Sequence, residues 1–412
     1  MTQVATTEGQ SESSKKPNPM SFVKDVCVVG GCGRVGLPLA MGFARVGLKV
    51  AIYDINQKAV DTVNSRVMPF FERGAEELMA TLSLEQMTAT TDLDIISQAE
   101  HVVVIIGTPV DEHLNPGFSS FTKFIDSIGP KLVDGQMVIL RSTVYPGTTA
   151  RTQELIARYN PNVDLSFCPE RVAEGLALEE ISSLPQLVSG TSEGAVKRAS
   201  ALFSKLNAKI LELSPLEAEL AKLFTNSWRY IQFATANQFY MLAQEHGLDF
   251  YKIYNAMRWE YPRTQGFPKA GFAAGPCLFK DTMQLASFSD NRFFLGHSAM
   301  LINEGLPQFI VNDLKEKVTL GDKTVGVLGM AFKGNIDDAR SSLSYKLKKV
   351  LEFQSREVLC TDPYVRDEAL KPLEEVVERS DILILGAPHR VYKELKFPED
   401  KIVVDIWNFF EN

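Results

Sequence analysis

The stretch from Val26 to Asp54 constrains this chain more than any other. Val26-Cys27-Val28-Val29-Gly30 is a β-branched run that leads into Gly31-Cys32-Gly33-Arg34-Val35-Gly36, and a helical pattern follows from Leu37 to Val46. Strand, glycine turn and helix in that order open a parallel α/β sheet. In such a turn the first glycine permits a sharp bend, the second lets backbone approach a pyrophosphate, and the third lets the helix pack on the strand. The phosphates then sit on the helix N-terminus. Glycines alone would be weak evidence, because such a turn can merely connect β to α. The next strand, Lys49 to Tyr53, ends in Asp54, about twenty residues on, where a ribose-binding carboxylate belongs. Gly31, Gly33, Arg34, Val35, Gly36 and Asp54 are therefore expected to bind a dinucleotide. No arginine follows Asp54 directly to accept a 2′-phosphate, so NAD is expected over NADP.

The alternation continues. Helices are expected at Gln57 to Asn64, around Gly74 to Thr81 and near Thr148 to Arg158, and strands at His101 to Ile106, Gln136 to Leu140 and Asp164 to Phe167. Each strand runs into polar residues: Gly107-Thr108-Pro109-Val110, then Arg141-Ser142-Thr143, then Cys168-Pro169-Glu170-Arg171-Val172-Ala173-Glu174-Gly175. Ligands of open parallel sheets bind at carboxyl ends of strands, which makes Thr108, Pro109, Thr143, Glu170, Arg171 and Glu174 candidates. Taken singly, each has a plainer reading, since hydroxyls form turns and mixed charges mark solvated loops.

Ser214-Pro215-Leu216-Glu217 is a capping box with proline at the first helical position, and the helical pattern then runs to His246-Gly247. Such a helix is about 45 Å long, enough to cross between domains. Lys222 and Asn226 are four apart and share a face, from which both could donate to an oxyanion. The plainer alternative is a snorkelling lysine and a surface asparagine. A second helix, Asp249 to Trp259, precedes a loop rich in glycine, proline and aromatics, Tyr261 to Pro276, that carries Arg263 and Lys269. Gly275-Pro276-Cys277-Leu278-Phe279-Lys280-Asp281 follows. A cysteine is nucleophilic as the thiolate, so Lys280 is at first sight its partner; a buried, inert thiol is the bland reading.

The last third begins a second strand, turn and helix series. Lys323 to Gly329 leads through Met330-Ala331-Phe332-Lys333-Gly334 to a helix near Ser342 to Gln354, with strands at Glu357 to Thr361 (then Asp362), Asp381 to Leu385 and Lys401 to Asp405. It lacks an intact GxGxxG, but Lys333 and Arg340 near its first turn suit a phosphate. The expected organisation is a disordered tail over 1–21, an NAD-binding domain over 22–213, a helical central domain with the Cys277 loop over 214–318, and a second α/β domain over 319–412.

Composition narrows the function. The chain has 43 Lys and Arg against 51 Asp and Glu, a net charge of −8 without charged blocks, which argues against nucleic-acid binding. Five scattered cysteines with no CxxC pair imply neither a disulfide framework nor a zinc site. The polar N-terminus lacks the apolar core of a signal peptide, and the apolar runs are too short to span a bilayer. A cytoplasmic protein with no membrane or metal partner is expected.

The motifs GCGRVG with Asp54, GTPV, STVYPG, CPERVAEG, EAELAKLFTNS, GPCLFKD and GMAFKGNIDD occur in this order over residues 22 to 412. Together they resemble the nucleotide-sugar 6-dehydrogenases, the family of UDP-glucose and UDP-N-acetylmannosamine dehydrogenases that serves polysaccharide biosynthesis. The resemblance implies two Rossmann-like, doubly wound parallel-sheet α/β domains joined by a long central helix, with dimerisation through the central domain (214–318) and the nucleotide sugar bound by the C-terminal domain (319–412), in a homodimer or higher homo-oligomer. It implies oxidation of a sugar C6 alcohol to the carboxylate in two hydride transfers to NAD. By the same resemblance Cys277 captures the aldehyde as a thiohemiacetal that becomes a thioester, and Glu170 is the base of its hydrolysis. Lys222 and Asn226 hold the oxyanion, Thr143 and Asp281 position water, and Thr108, Pro109, Thr143 and Glu174 lie by the cofactor. Glu170, Arg171, Lys222, Asn226, Arg263, Phe272, Gly275, Phe332, Lys333 and Arg340 are expected to contact the sugar nucleotide.

Before Cys277 the run Gly271-Phe272-Ala273-Ala274-Gly275-Pro276 departs from the glycine-rich run of close relatives. CPERV is similar to the N-acetylhexosamine branch, AEG and LFKD to the glucose branch, so UDP-glucose, UDP-ManNAc and a TDP-sugar all stay open as substrates. Two other classes stay open as well. A two-electron NAD-dependent hydroxy-acid dehydrogenase would need the lysine and asparagine but not the thiol. A binding protein that holds NAD without turnover would have lost Cys277 or Lys222, and both are present.

Overall fold

A computed structural model of the chain describes residues 22–107, 118–206, 209–273 and 275–410; the N-terminal tail, Thr108 and Pro109 lie outside the described residues. The first sheet contains β1 (Lys24–Val29), β2 (Val50–Tyr53), β3 (Met87–Thr90), β4 (Ala99–Val104), β5 (Met137–Leu140), β6 (Asp164–Phe167), β7 (Gln186–Gly190) and β8 (Ile210–Glu212). Their order is β3-β2-β1-β4-β5-β6-β7-β8. Successive residues enter two different cores: Val26, Val28, Ile52 and Ile139 one, Cys27, Val29, Ala51 and Val138 the other. A sheet covered on both faces needs such continuous apolar strands. β1 pairs in parallel with both β2 and β4, Val29 lying opposite Tyr53 and Val104. The strand order reverses between β1 and β4 and opens a crevice at their carboxyl ends.

The last two strands, β7 and β8, run opposite to the other six. β7 runs antiparallel to β6, with Ser166 opposite Gly190. The chain thus enters β7 at the edge where it leaves β6, and residues 168–185 stay there instead of crossing a face. Their short helix, Ala177–Ser183, buries Leu178 and Ile181 in the core that also holds Leu39 and Phe43 of the glycine-turn helix. Glu170 and Glu174 are thereby kept at the ligand edge.

The central helix spans Pro215–Glu245, and its capping box is formed: Glu217 accepts from Ser214 N at 2.8 Å and from Ser214 Oγ at 2.7 Å. Helices Leu278–Phe288 and Phe294–Lys317 pack along it. Little in the sequence announces the latter, because Pro307, a residue that usually ends a helix, lies inside it. Asn237, fully buried on the central helix, donates to Gly271 O at 3.0 Å and accepts from Gly271 N at 2.8 Å, tying the segment before Cys277 to that helix. The second sheet contains β9 (Thr324–Leu328), β10 (Glu357–Thr361), β11 (Ile382–Leu385) and β12 (Ile402–Val404), all parallel in the order β10-β9-β11-β12.

Candidate active site

The glycine turn after β1 is shaped for a ligand. A Cβ on Gly36 would stand 2.6 Å from Gly31 Cα, so turn and helix touch only without side chains, whereas a Cβ on Gly33 would meet nothing closer than 3.8 Å among the described residues. The helix Gly36–Arg45 has Val35 at its N-cap and no side-chain cap, so no protein oxygen of that kind competes with a phosphate for its first N–H groups. Asp54 accepts from Cys32 N and Asn56 N, both at 3.1 Å, which fixes the carboxylate at the rim. These residues fit NAD, which is the cofactor of this chain. Arg34 is used differently from its neighbours. Its Nη1 lies 2.5 Å from Asp337 Oδ1, its Nε 3.6 Å from Asp338 Oδ2, and its guanidinium 5.1 Å from the Phe70 ring centre. The arginine of the cofactor turn is therefore committed to the loop after β9.

Of the five cysteines, Cys277 alone is exposed. It is the N-cap residue of helix Leu278–Phe288, where the helix dipole favours a negative charge. One turn along, fully buried Asp281 accepts a 2.5 Å hydrogen bond from Asn226 Nδ2 and so joins the cysteine helix to the central helix. Lys222 lies one turn before Asn226. Burial lowers the proton affinity of its ammonium, while Asp281, Cys277 and Glu170 each raise it. Desolvation, then the Asp281 carboxylate, push the Cys277 thiol above the ordinary cysteine range, while Lys222 and, more weakly, Lys280 pull it down. The stronger cation is thus on another helix, and the adjacent Lys280 instead lies 3.5 Å from Asp281 Oδ1. Gly275 enters this turn at φ 100°, and a Cβ there would stand 2.7 Å from the Phe332 ring. Only glycine lets the cysteine loop pass so close to the C-terminal unit.

The two carboxylates after β6 differ sharply. Glu170 Oε2 accepts from Arg141 Nε (3.0 Å) and Nη2 (2.6 Å), and Oε1 accepts from Arg171 N (2.7 Å) and Val172 N (3.0 Å). All four lone-pair positions of that carboxylate are taken. Arg141 is fully buried and also donates to Cys168 O and Gln186 Oε1, each at 3.0 Å. Glu174 has a buried Oε2 with no donor beside it among the described residues. Burial, the Asp338 carboxylate and a proton-sharing contact with Asp338 push it up to about 7, against the pull of Arg340 and Arg34. Arg340 Nη2 reaches Glu174 Oε1 at 3.3 Å and Asp338 Oδ2 at 2.5 Å, and Lys333 Nζ donates to Glu174 O at 2.7 Å. Glu174 in turn acts on the Cys277 thiol.

Cys277, Lys222, Asn226, Asp281, Glu170, Glu174, Phe332, Lys333 and Arg340 therefore meet where the three parts of the chain converge. Thr143 stands half-buried at the carboxyl end of β5. Three expected substrate residues are placed elsewhere. Phe272 is 3% exposed and belongs to the core with Ala270 and Tyr254. Arg171 donates to Pro185 O. Arg263 is exposed, donates to its neighbour Tyr261 Oη at 2.9 Å, and lines a groove with Trp228 and Phe267. Conversely, Arg141 and Asp338 shape the site without having stood out. An arginine closing an apolar strand is the available signal for Arg141; for Asp338 it is the acidic pair Asp337-Asp338 beside Arg340.

The sequence matches the UDP-glucose/GDP-mannose dehydrogenase family over three consecutive stretches. These are its NAD binding domain (residues 24–207), central domain (216–304) and UDP binding domain (326–412). The UDP-N-acetyl-D-mannosamine dehydrogenase of Pyrococcus horikoshii is 30% identical over 393 residues, covering 91% of this chain and 93% of that protein. A solved structure of UDP-D-ManNAc dehydrogenase from the same organism superposes with a TM-score of 0.84 at 27% identity, over 94% of this chain and 100% of that one. A UDP-glucose dehydrogenase from Pyrobaculum islandicum shares the fold, with a TM-score of 0.86 at 24% identity over 96% of this chain and 97% of that one.

Proposed function

We propose that this chain, which belongs to the UDP-glucose/GDP-mannose dehydrogenase family, oxidises the C6 alcohol of a UDP-hexose or UDP-N-acetylhexosamine to the uronic acid through a covalent intermediate on Cys277. It is an NAD-dependent oxidoreductase acting on a CH–OH group. The observation that carries the covalent reading is the exposed Cys277 at a helix start, facing Lys222 and the Asn226–Asp281 pair. NAD at the glycine turn supplies the hydride acceptor in each of two rounds. The chain's own residues do the rest. Thr143 and Asp281 position water for the proton that leaves the alcohol. Cys277 adds its sulfur to the C6 aldehyde, and Lys222 and the second Nδ2 proton of Asn226 hold the oxygen as it becomes negative. Loss of the second hydride from that carbon leaves a thioester. Water then attacks the thioester carbonyl, the C–S bond breaks, and the thiol regains a proton.

The base of that hydrolysis needs a free lone pair. Glu170, to which the resemblance gives this role, spends all of its own on Arg141 and two backbone N–H groups, whereas Glu174 has an oxygen to spare and a proton affinity near neutrality. Glu174 is therefore the proposed base, and Glu170 stays bound to Arg141 near Lys222. Lys333, Arg340 and Phe332 are the proposed contacts of the sugar nucleotide from the C-terminal unit. The exposed apolar groove formed by Leu220, Phe224, Trp228 and Phe288 on the central and cysteine helices supports a homodimer, which a monomer mass by light scattering would dismiss.

The substrate test offers the purified chain UDP-N-acetylmannosamine, UDP-glucose, UDP-N-acetylglucosamine and TDP-glucose with NAD. The first heads the panel because the Pyrococcus horikoshii relative carries that activity in its name. Two NADH per sugar consumed is the expected result. One NADH per sugar, as a two-electron dehydrogenase would give, or none with any of them, sinks the reading.

A further inference from the structure

Helix Thr148–Ala157 begins without a cap of its own. Its N-cap position is Gly147, in the left-handed region at φ 91° and with no side chain to offer. The cap comes from the central helix. Glu219 Oε2 accepts from Gly147 N at 2.6 Å, and Oε1 accepts from Thr149 N at 2.8 Å and Thr149 Oγ1 at 2.6 Å. Glu219 is 1% exposed. Burying a carboxylate is unfavourable unless its lone pairs are met, and a serine, threonine or aspartate at the cap position would satisfy the Thr149 N–H locally. A local cap, however, would not connect the two helices.

The connection falls at the active site. Glu219, Lys222 and Asn226 are spaced by three and four residues along the central helix and so share one face. The segment that Glu219 anchors, residues 142–147, carries Thr143. Its Tyr145 lies edge-on against Phe288 of the cysteine helix, with ring centres 5.8 Å apart. The Thr143 loop is thus fixed between the helix that bears Lys222 and Asn226 and the helix that Cys277 begins.

We propose that Glu219 is a positioning residue: its buried carboxylate holds the Thr143 loop in register with Lys222 and Asn226. It touches neither substrate nor cofactor and acts through the loop. The inference rests on the nucleotide-sugar reading for its kinetic consequence, and on the loop alone for its structural one.

Glu219→Gln keeps the size but turns an NH2 group toward N–H donors. Amide exchange across residues 142–149 should quicken at least tenfold. The kcat with the best nucleotide sugar should fall at least tenfold, while KM for the sugar and Kd for NADH stay within threefold. Glu217→Ala opens the capping box at the start of the same helix without touching the loop, and should lower Tm with kcat unchanged. If Glu219→Gln does not fold, Thr149→Val removes only the hydroxyl contact and should lower kcat severalfold, again with KM held. Unchanged exchange in the loop, or faster exchange with wild-type kcat, would overturn the proposal. Should the wild-type protein oxidise no nucleotide sugar, that failure belongs to the functional reading, and Glu219 is then judged on loop exchange alone.

Discussion

Asp54 and Asp362 stand at equivalent points of the two α/β units: each follows the second strand of its unit, and each accepts hydrogen bonds from the turn after the first strand. Asp54 takes one bond from its turn, Cys32 N at 3.1 Å, and remains partly open. The Asp362 side chain is completely buried. Its Oδ2 accepts from Met330 N (2.6 Å) and Ala331 N (2.9 Å), and its Oδ1 from Tyr364 N (2.8 Å) and Val365 N (2.9 Å). His389 completes the set. Its Nδ1 accepts from Asn335 N at 2.9 Å, so the proton is on Nε2, 3.0 Å from Asp362 Oδ2. One carboxylate stays accessible at the rim of its turn; the other is consumed in closing its own turn. The second unit therefore keeps the strand, turn and helix plan while giving up the dinucleotide site, and its cations Lys333 and Arg340 face Glu174 instead.

Paired substitutions sharpen this contrast, and the largest effect is expected in the second unit. Asp362→Asn removes a charge that five donors surround and adds a donor among them, so it should cost about 3 kcal/mol of unfolding free energy in denaturant melts. The pH dependence has a definite sign. Burial alone would raise the Asp362 pKa, but the His389 and backbone hydrogen bonds outweigh it and bring it from 3.8 down to about 2. The stabilisation is therefore present above the unfolded value and is lost as pH falls from about 4 to about 2, an effect of about 2 kcal/mol that the variant should lack. A variant as stable as wild type would erase the distinction. Asp54→Asn should do the converse, weakening NADH binding about tenfold in a fluorescence titration while shifting stability by less than about 1 kcal/mol. Unchanged NADH affinity would leave Asp54 without a ligand role.

What could be read in advance shares one property: its cause lies within a few residues. The glycine turn with Asp54, the Ser214–Glu217 capping box and the strand ends carrying Thr143 and Glu170 are local patterns, and the fold places each as the local chemistry requires. At Cys277 adjacency alone favours Lys280; only the family resemblance points to Lys222, which folding brings up as the stronger cation. Elements whose causes are distant escape a reading of this kind. The direction of β7 depends on where helix Ala177–Ser183 packs, and the difference between Glu170 and Glu174 depends on Arg141 and on Asp338, 164 residues after Glu174. Glu219 caps a helix that begins 71 residues before it, so no pattern along the chain announces the pair.

The central claim is that the sulfur of Cys277 carries the second half of the oxidation. The direct measurement is acid formation by Cys277→Ser, followed by product analysis with the best nucleotide sugar and NAD, alongside an NADH titration. A hydroxyl in place of the thiol should leave NADH binding intact and abolish net formation of the uronic acid. Uronic acid produced at the wild-type rate, with two NADH per sugar, would contradict the account.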